Sequence, residues 1–327
     1  MQGMDGFEDI AAGYDRFTLE AADSPCFAAW AAGVRDDPEV LALLATLPVP
    51  KRQPNLVFAA ARWHGAVPGA YRELREVLLE RWPEVSATVL ERATQTNEVG
   101  RCATLLPLLA SLPQPLALLE VGASAGLCLQ PDRYSYIYDV DTGESVTLDP
   151  NDGPSPVRLR CSVGQDVPLP TAPVEVVWRA GVDLNPLDVT DRGAMRWLET
   201  LVWPEAEERR ARLRGAIDIA RAEPARLVRG DLLAEVPALA AQAPSDATLV
   251  VFHSAVIAYL DPEGRRAWDT LARELPGHWI SNEGPTVLPA VTATATSPAP
   301  AGTPFALALD GVVRAWSHPH GRSLHWC

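Results

Sequence analysis

The chain has 327 residues, of which 47% are hydrophobic and 21% charged, enough for one large α/β domain or two smaller ones. Its 42 acidic and 28 basic residues give a formal net charge of −14. This charge opposes binding to a nucleic-acid backbone or to an anionic membrane surface, so we expect neither as a partner.

The first third of the chain has a helical pattern. Apolar residues recur at three- and four-residue spacing from residue 7 to about residue 112. The acidic N-terminus has no basic-then-apolar leader, and no apolar run approaches the roughly 20 residues of a membrane span. From the helical pattern we predict an all-helical cap over residues 1–113. From the lack of a leader or a membrane span we expect a cytoplasmic protein. Prolines lie where its helices should begin or end, at Pro25, Pro38, Pro54, Pro68 and Pro83.

A different pattern begins after Pro115. Short, continuous apolar runs, which are typical of buried parallel strands, alternate with helical stretches. This alternation predicts a Rossmann-like, mostly parallel sheet over residues 114–327, with ligands bound at the carboxyl ends of its strands. The apolar runs cover residues 116–121, 174–182, 226–228, 248–252 and 278–281.

Two segments interrupt this alternation. Residues 133–167 alternate Tyr, Val and Arg around an Asp-Pro-Asn-Asp-Gly sequence, which predicts an inserted β-ribbon. Residues 291–303 are of low complexity, which predicts a loop. An Asp-Gly pair at residues 310–311 then predicts a closing hairpin, which fits a seven-stranded sheet.

The strongest chemical signal is the glycine turn at residues 119–126, with the sequence Leu-Glu-Val-Gly-Ala-Ser-Ala-Gly. Gly122 and Gly126 would let the backbone approach a ligand, and the N–H groups of a following helix would bind an anionic group. The dinucleotide fingerprint G-x-G-x-x-G fails, because Ser124 and Leu127 occupy its second and third glycine positions.

The same turn matches the G-x-S-x-G nucleophile elbow of serine hydrolases. Ser124 would be the nucleophile, followed in the required order by Asp310 and His320. An elbow needs several strands upstream to position its oxyanion N–H groups, whereas the upstream segment here is helical. A serine hydrolase therefore remains an alternative.

An S-adenosylmethionine (AdoMet) site is the third interpretation of the turn. That site uses an acid at the end of the first strand, here Glu120, and an acid at the end of the second, here Asp183, for the ribose hydroxyls. Asp231, after the third strand, would meet the adenine amino group, since carboxylates accept from these donors. Strand-end acids that only cap helices remain the simpler alternative. The predicted cofactor-binding residues are Glu120, Gly122, Ser124, Gly126, Asp183 and Asp231.

Other polar residues could carry the chemistry. His253 and Glu283 follow two apolar strands and would face the same cleft as proton acceptors, unless His253 only binds a backbone carbonyl. Glu98 could remove a proton and Arg101 could bind a substrate carboxylate, unless this segment only caps a helix. The predicted catalytic residues are His253, Glu283 and Glu98, and the predicted substrate-binding residues are Arg101, Asn97, Tyr134 and His320.

No metal site is predicted. His318 and His320 form a His-x-His pair, but no carboxylate or cysteine completes a metal-ligand spacing. The five cysteines are scattered, without a Cys-x-x-Cys motif, so we expect neither a disulfide framework nor a zinc site.

Several short motifs together are typical of one family, and they cover nearly the whole chain, at residues 52–55, 95–101, 119–127, 132–134, 181–187, 203–204, 252–254, 281–283 and 319–321. In these motifs the chain resembles the bacterial domain-of-unknown-function family numbered 2332. That family is similar in fold to AdoMet-dependent methyltransferases, so the resemblance implies an AdoMet-type fold and leaves the reaction open. Two departures concern the cofactor site: Ser124 replaces the usual middle glycine, and Asp183 follows Glu120 by about 60 residues instead of ~20.

We therefore expect a methyltransferase-like group transfer from AdoMet to a small molecule. A serine hydrolase using Ser124 and a Rossmann-like protein that does not use AdoMet remain the alternatives. The sequence gives no prediction of the oligomeric state or of a protein partner.

Overall fold

The computed structural model describes the backbone of residues 2–95 and 97–327 and the side chains of residues 7–95 and 97–327. The chain forms two compact units, one extending to residue 96 and including residues 192–211, the other containing residues 97–191 and 212–327. Among the described residues, no helix has the length and apolar character that a membrane crossing requires. The α-helices are α1 (Gln2–Glu20), α2 (Pro25–Arg35), α3 (Pro38–Ala45), α4 (Pro54–Trp63), α5 (Tyr71–Glu80), α6 (Trp82–Glu91), α7 (Arg101–Ser111), α8 (Arg192–Leu201), α9 (Glu207–Ala222), α10 (Leu232–Ala240), α11 (Pro262–Glu274) and α12 (Pro289–Thr292).

The first unit consists of helices whose starts follow from the local sequence. α2 and α3 begin at prolines, which fit the first helical turn because its N–H groups need no partner within the helix. Ser24 and Asp37 precede these prolines, and their side-chain oxygens accept hydrogen bonds from backbone N–H groups of the first turn. Phe58 of α4 lies in the core of this unit. Its ring makes edge-on contacts with those of Tyr14, Phe17, Phe27 and Trp30.

The strands of the second unit form one sheet, with eleven strands in the described ranges. Their order across the sheet is β3-β2-β4-β11-β10-β9-β8-β7-β1-β5-β6. The strands are β1 (Leu116–Val121), β2 (Ser135–Val140), β3 (Ser145–Leu148), β4 (Arg158–Val163), β5 (Val176–Asp183), β6 (Arg226–Arg229), β7 (Thr248–Ser254), β8 (His278–Glu283), β9 (Phe305–Leu309), β10 (Val312–Ser317) and β11 (Ser323–Trp326).

Five neighbouring strands, β6, β5, β1, β7 and β8, run parallel. The chain passes from β1 to β5 and β6 on one side, and then to β7 and β8 on the other, so the strand order reverses beside β1. Helix α10 connects β6 to β7 and α11 connects β7 to β8, as parallel strands require. The carboxyl ends of all five strands meet at one edge, where open α/β sheets bind their ligands.

The predicted α/β class is confirmed, but the prediction of seven strands is wrong. The predicted ribbon at residues 133–167 forms β2, β3 and β4, and these strands join the main sheet. Strand β4 pairs in parallel with β11, which the sequence does not predict, through the pairs Ser162–Ser323 and Val163–Leu324. The sheet is therefore larger and mixed. β9 and β10 form the predicted hairpin, with φ of 52° at Asp310 and 76° at Gly311.

Candidate functional site

The glycine turn after β1 is held by contacts on both sides. Gly122, Ser124 and Gly126 all have positive φ, at 71°, 50° and 69°. The Ser124 N–H donates to Oδ2 of Asp183 at 2.8 Å. On the other side, Asn97 donates from Nδ2 to the Ser124 hydroxyl at 2.8 Å and accepts from the backbone N–H of the next residue at 3.1 Å. Asn97 and Asp183 together fix the shape of the turn.

Acidic residues lie at the carboxyl ends of three neighbouring parallel strands. Glu120 of β1 pairs in register with Gly181 of β5, and Asp183 ends that strand. Oδ1 of Asp183 accepts from the Asn185 N–H at 2.7 Å. Because an ionised carboxylate has about four acceptor positions, and the two bonds to backbone N–H groups use two, Asp183 keeps acceptor capacity. Asp231, after β6, is exposed and caps α10, with Oδ1 accepting from the Leu233 N–H at 2.9 Å.

Glu120 is a buried acid with an unusual environment. Its Oε2 is buried and has no hydrogen-bond partner among the residues that the structure describes. Burial raises the pKa of Glu120 well above its ordinary value of 4.5, and the neighbouring Cys128 thiol raises it further, while the Arg101 guanidinium acts in the opposite direction. Burial in the folded chain therefore favours the protonated form of Glu120 more than exposure to water would.

We expect Glu120→Gln to weaken the pH dependence of folding stability. A folded-state pKa above the unfolded value means that the folded chain holds more protons, so wild-type stability falls as the pH rises above 4.5. Glutamine does not titrate, so the stability of this variant relative to wild type should increase as the pH is raised above 4.5. Urea unfolding at several pH values in this range, with exposed Glu274→Gln as the control, measures the difference; parallel curves for wild type and Glu120→Gln would contradict it.

His253 occupies a fully buried position between two tryptophans. Its Nδ1 lies 2.7 Å from Oε1 of Glu283, and its Nε2 lies 3.1 Å from Nε1 of Trp268 and 3.0 Å from Nε1 of Trp279. An indole N–H only donates, so Nε2 is the acceptor and Nδ1 carries the proton of a neutral ring. In this arrangement no nitrogen lone pair of His253 faces a ligand.

Glu283 also fixes the turn that follows β7. Its Oε1 accepts from the backbone N–H groups of Val256 at 2.9 Å and Ile257 at 3.1 Å. Ala255 in this turn has a φ of 56°, which is uncommon for a residue with a side chain. The turn places Val256 directly above Gly122, where an added Cβ would lie 2.4 Å from Cγ2 of Val256. His253 and Glu283 thus hold the segment that covers the glycine.

A second polar group is formed by the segment before α7 and the chain near Pro319. The Arg101 guanidinium donates to the Pro319 carbonyl from Nε at 2.9 Å and to the Ser254 carbonyl from Nη1 at 2.8 Å. Glu98 is buried, and its Oε2 lies 3.4 Å from Nδ1 of His320. The structure therefore brings together four predicted residues from two distant parts of the chain, namely Asn97, Glu98, Arg101 and His320.

Other predicted residues are not brought together. The Tyr134 hydroxyl is buried and donates to the Leu127 carbonyl at 2.6 Å. The carboxylate of Asp310 lies 2.8 Å from Nδ1 of His278, at the amino end of β8, and not beside His320. The Ser124 hydroxyl accepts from Asn97 and Asp310 contacts His278, so the structure shows no Ser124–His320 or His320–Asp310 hydrogen bond of a hydrolase triad among the described residues. Sequence reasoning missed Val256, because an apolar residue in a loop carries no signal that it lies over a glycine turn.

Comparison with known proteins gives one family. A family model described as "Uncharacterized protein conserved in bacteria (DUF2332)" matches residues 14–326. No curated protein and no solved structure gives a significant match. The matched range includes every residue of the site described above.

Proposed function

The chain belongs to the DUF2332 family, and from this premise we propose that it is an AdoMet-dependent, methyltransferase-like enzyme that transfers a group to a small molecule. One observation carries the proposal. Glu120 is the penultimate residue of β1, Asp183 ends β5 and Asp231 follows β6, so three acids lie at the carboxyl ends of neighbouring parallel strands, around a glycine turn where the strand order reverses. Ligands of open α/β sheets bind in the crevice at such a point.

The residues fit the nucleoside part of this cofactor. Asp183 keeps acceptor positions for ribose hydroxyls, and Leu184 beside it is 73% exposed, which suits contact with an apolar purine face. Binding of the cofactor over Gly122 requires one conformational change. Val256 fills the space above this glycine, so cofactor binding requires the turn around Val256 to move.

These positions indicate what the cofactor and the residues of the chain would each contribute to the reaction. AdoMet, when bound, would supply an activated methyl group for transfer to the acceptor. The chain's residues hold the ribose at Asp183 and hold the glycine turn through Asn97. Positioning of this kind supplies much of the rate enhancement of group transfer.

A second candidate is a Rossmann-like protein that does not use AdoMet. The position of Val256 favours it, because the room created by the missing side chain of Gly122 is occupied by protein. Binding measurements separate the two candidates.

We expect the wild-type chain to bind AdoMet and S-adenosylhomocysteine with dissociation constants below millimolar in calorimetry. Asp183→Ala should weaken this binding about 10- to 100-fold, since hydrogen bonds to a charged group contribute about 1.5–3 kcal/mol. Asp246→Ala, an exposed acid that precedes β7 at the opposite edge of the sheet, is the matched control and should leave affinity unchanged.

The thermal unfolding of Asp183→Ala must be measured alongside, because Asp183 also accepts from two backbone N–H groups. Wild-type binding weaker than millimolar would remove the AdoMet proposal. Equal affinity of wild type and a folded Asp183→Ala variant would remove the proposed ribose contact.

A further inference from the structure

A cavity of about 280 Å³ lies within the second unit, between the glycine turn, the segment after β5 and the end of α9. A cavity of about 150 Å³ accommodates benzene, and pockets for small molecules begin at about 300 Å³. The space therefore suits one ring with a short side chain. Its walls are largely apolar, and the side chains that form them are Pro186, Leu187, Val189, Ala220, Ala225 and Leu227.

Hydrogen bonds between the walls hold the cavity in shape. The Leu187 N–H donates to the Ser124 carbonyl at 2.9 Å, which joins the segment after β5 to the glycine turn. Nε of Arg221 donates to the Val189 carbonyl at 2.6 Å, which joins the same segment to α9. The walls are therefore in place before a ligand enters.

The space is left by small residues and bordered by apolar surface that water reaches. Three alanines line the cavity, at Ala125, Ala220 and Ala225. Leu187 and Leu227, which line it as well, are only half-buried. An apolar ring in the cavity would cover these leucines, and removing such surface from water is favourable.

The charged side chain at this cavity is a carboxylate. Among the residues that the structure describes, Asp188 is the one ionisable side chain in the lining. Thr190 donates to Oδ1 of Asp188 from its backbone N–H at 2.8 Å and from its hydroxyl at 2.7 Å. These bonds hold the pKa of Asp188 below its ordinary value of 3.8, so the carboxylate is ionised at neutral pH. Its Oδ2 keeps acceptor positions for a ligand.

The end of α9 adds a backbone acceptor. The Ala220 carbonyl would accept from the N–H of residue 224 if the helix continued, but that residue is Pro224, which has no N–H. Both residues line the cavity. The carbonyl groups at a helix C-terminus also carry a partial negative charge. The cavity therefore favours a ligand that is positively charged and donates hydrogen bonds.

We propose that this cavity binds a small organic cation, a protonated amine carried on one apolar ring. The ring lies against the leucines and prolines of the walls, the ammonium group donates to Asp188, and the end of α9 stabilises its charge. The formal net charge of −14 favours a cationic ligand over an anionic one. Of the described residues, none of Glu120, Gly122 and Asp183 lines this cavity, so the inference goes beyond the proposed function and does not depend on AdoMet binding.

The first test compares probes of similar size and different charge. Calorimetry at neutral pH should give dissociation constants below about 1 mM for phenethylamine or cyclohexylethylamine. Phenethyl alcohol should bind about 10-fold more weakly, and phenylacetate should not bind measurably, because both lack the cationic donor. Equal affinity for the alcohol and the amine, tighter binding of phenylacetate, or no binding of either amine would overturn the proposal.

Variants then locate the binding site. Ala225→Leu places a larger side chain in the wall and should abolish amine binding, whereas exposed Ala222→Leu, at the end of α9 and outside the lining, is the matched control and should not change it. Asp188→Asn should weaken amine binding about 10-fold and leave phenethyl alcohol unaffected, which a general loss of structure would not do. Exposed Asp166→Asn, after β4 on the far side of the sheet, is its control.

Thermal unfolding should show that each variant is folded. Unchanged amine affinity in a folded Ala225→Leu variant, or in Asp188→Asn, would overturn the assignment. S-adenosylhomocysteine separates this site from the proposed function. It should leave amine binding unchanged, and competitive displacement of the amine would overturn a separate site. Amine binding by a chain that does not bind AdoMet would overturn only the proposed function.

Discussion

Replacing Glu283 with alanine should lower the free energy of unfolding by about 3–5 kcal/mol. Oε1 of Glu283 accepts from Nδ1 of His253 and from the backbone N–H groups of Val256 and Ile257. Alanine leaves all three donors without their acceptor in a region that water reaches poorly. Urea or guanidinium unfolding, followed by tryptophan fluorescence, measures the loss.

Two companion variants locate the cause of that loss. Glu283→Gln keeps one oxygen acceptor, so it should destabilise less than alanine does. Exposed Glu274→Ala, at the end of α11, should change stability by less than about 0.5 kcal/mol. A loss below about 1 kcal/mol in Glu283→Ala would contradict the role of this carboxylate as the shared acceptor.

Gly122→Ala should destabilise the fold by about 2–5 kcal/mol, from two separate causes. The φ of Gly122 is 71°, a left-handed conformation that costs a residue with a side chain about 1–2 kcal/mol. In addition, the new Cβ would lie 2.4 Å from Cγ2 of Val256. Such overlap forces side chains and backbone to shift, at a cost of about 1–3 kcal/mol.

A double-mutant cycle with Val256→Ala separates these two costs. Alanine at residue 256 removes both Cγ atoms, and the nearest remaining atom, Cβ of residue 256, lies 3.1 Å from the added Cβ. We expect the double variant to recover about 1–3 kcal/mol relative to the sum of the single changes, leaving the backbone cost. Strict additivity in denaturant unfolding would show that Val256 does not limit the space over Gly122.

Many residues at the carboxyl ends of the parallel strands can be predicted from the sequence, because the patterns that reveal them are local. The apolar run before Glu120 and the glycines after it are contiguous. Few structures other than a buried strand followed by a glycine turn fit this pattern. The acids at Asp183 and Asp231 are found in the same way, as the polar residues that end apolar runs. Parallel pairing of the strands brings the acids at their ends to one edge of the sheet, and the structure confirms this pairing for β1 with β5 and for β5 with β6.

The rest depends on contacts between distant residues that no local pattern reveals. The partners of His253 come from α11 and β8, so its ring environment is decided by where Trp268 and Trp279 pack. In the sequence, Val256 is an ordinary apolar residue of a loop, and only the folded structure places it over Gly122. Strand β11 has only four residues, with a histidine and a tryptophan among them, so it carries no local strand pattern. Its pairing partner β4 lies far away in the sequence.

The pairing of β4 with β11 also bears on how the chain acquires its structure during synthesis. Ser162 leaves the ribosome about 160 residues before Ser323, its partner, so loop closure between them comes late. Until then, β4 presents an unpaired edge to other nascent chains, the kind of edge through which strands aggregate. Emergence of β11 from the ribosome is therefore the event that allows this edge to be covered, and slow translation between β4 and β11 prolongs its exposure.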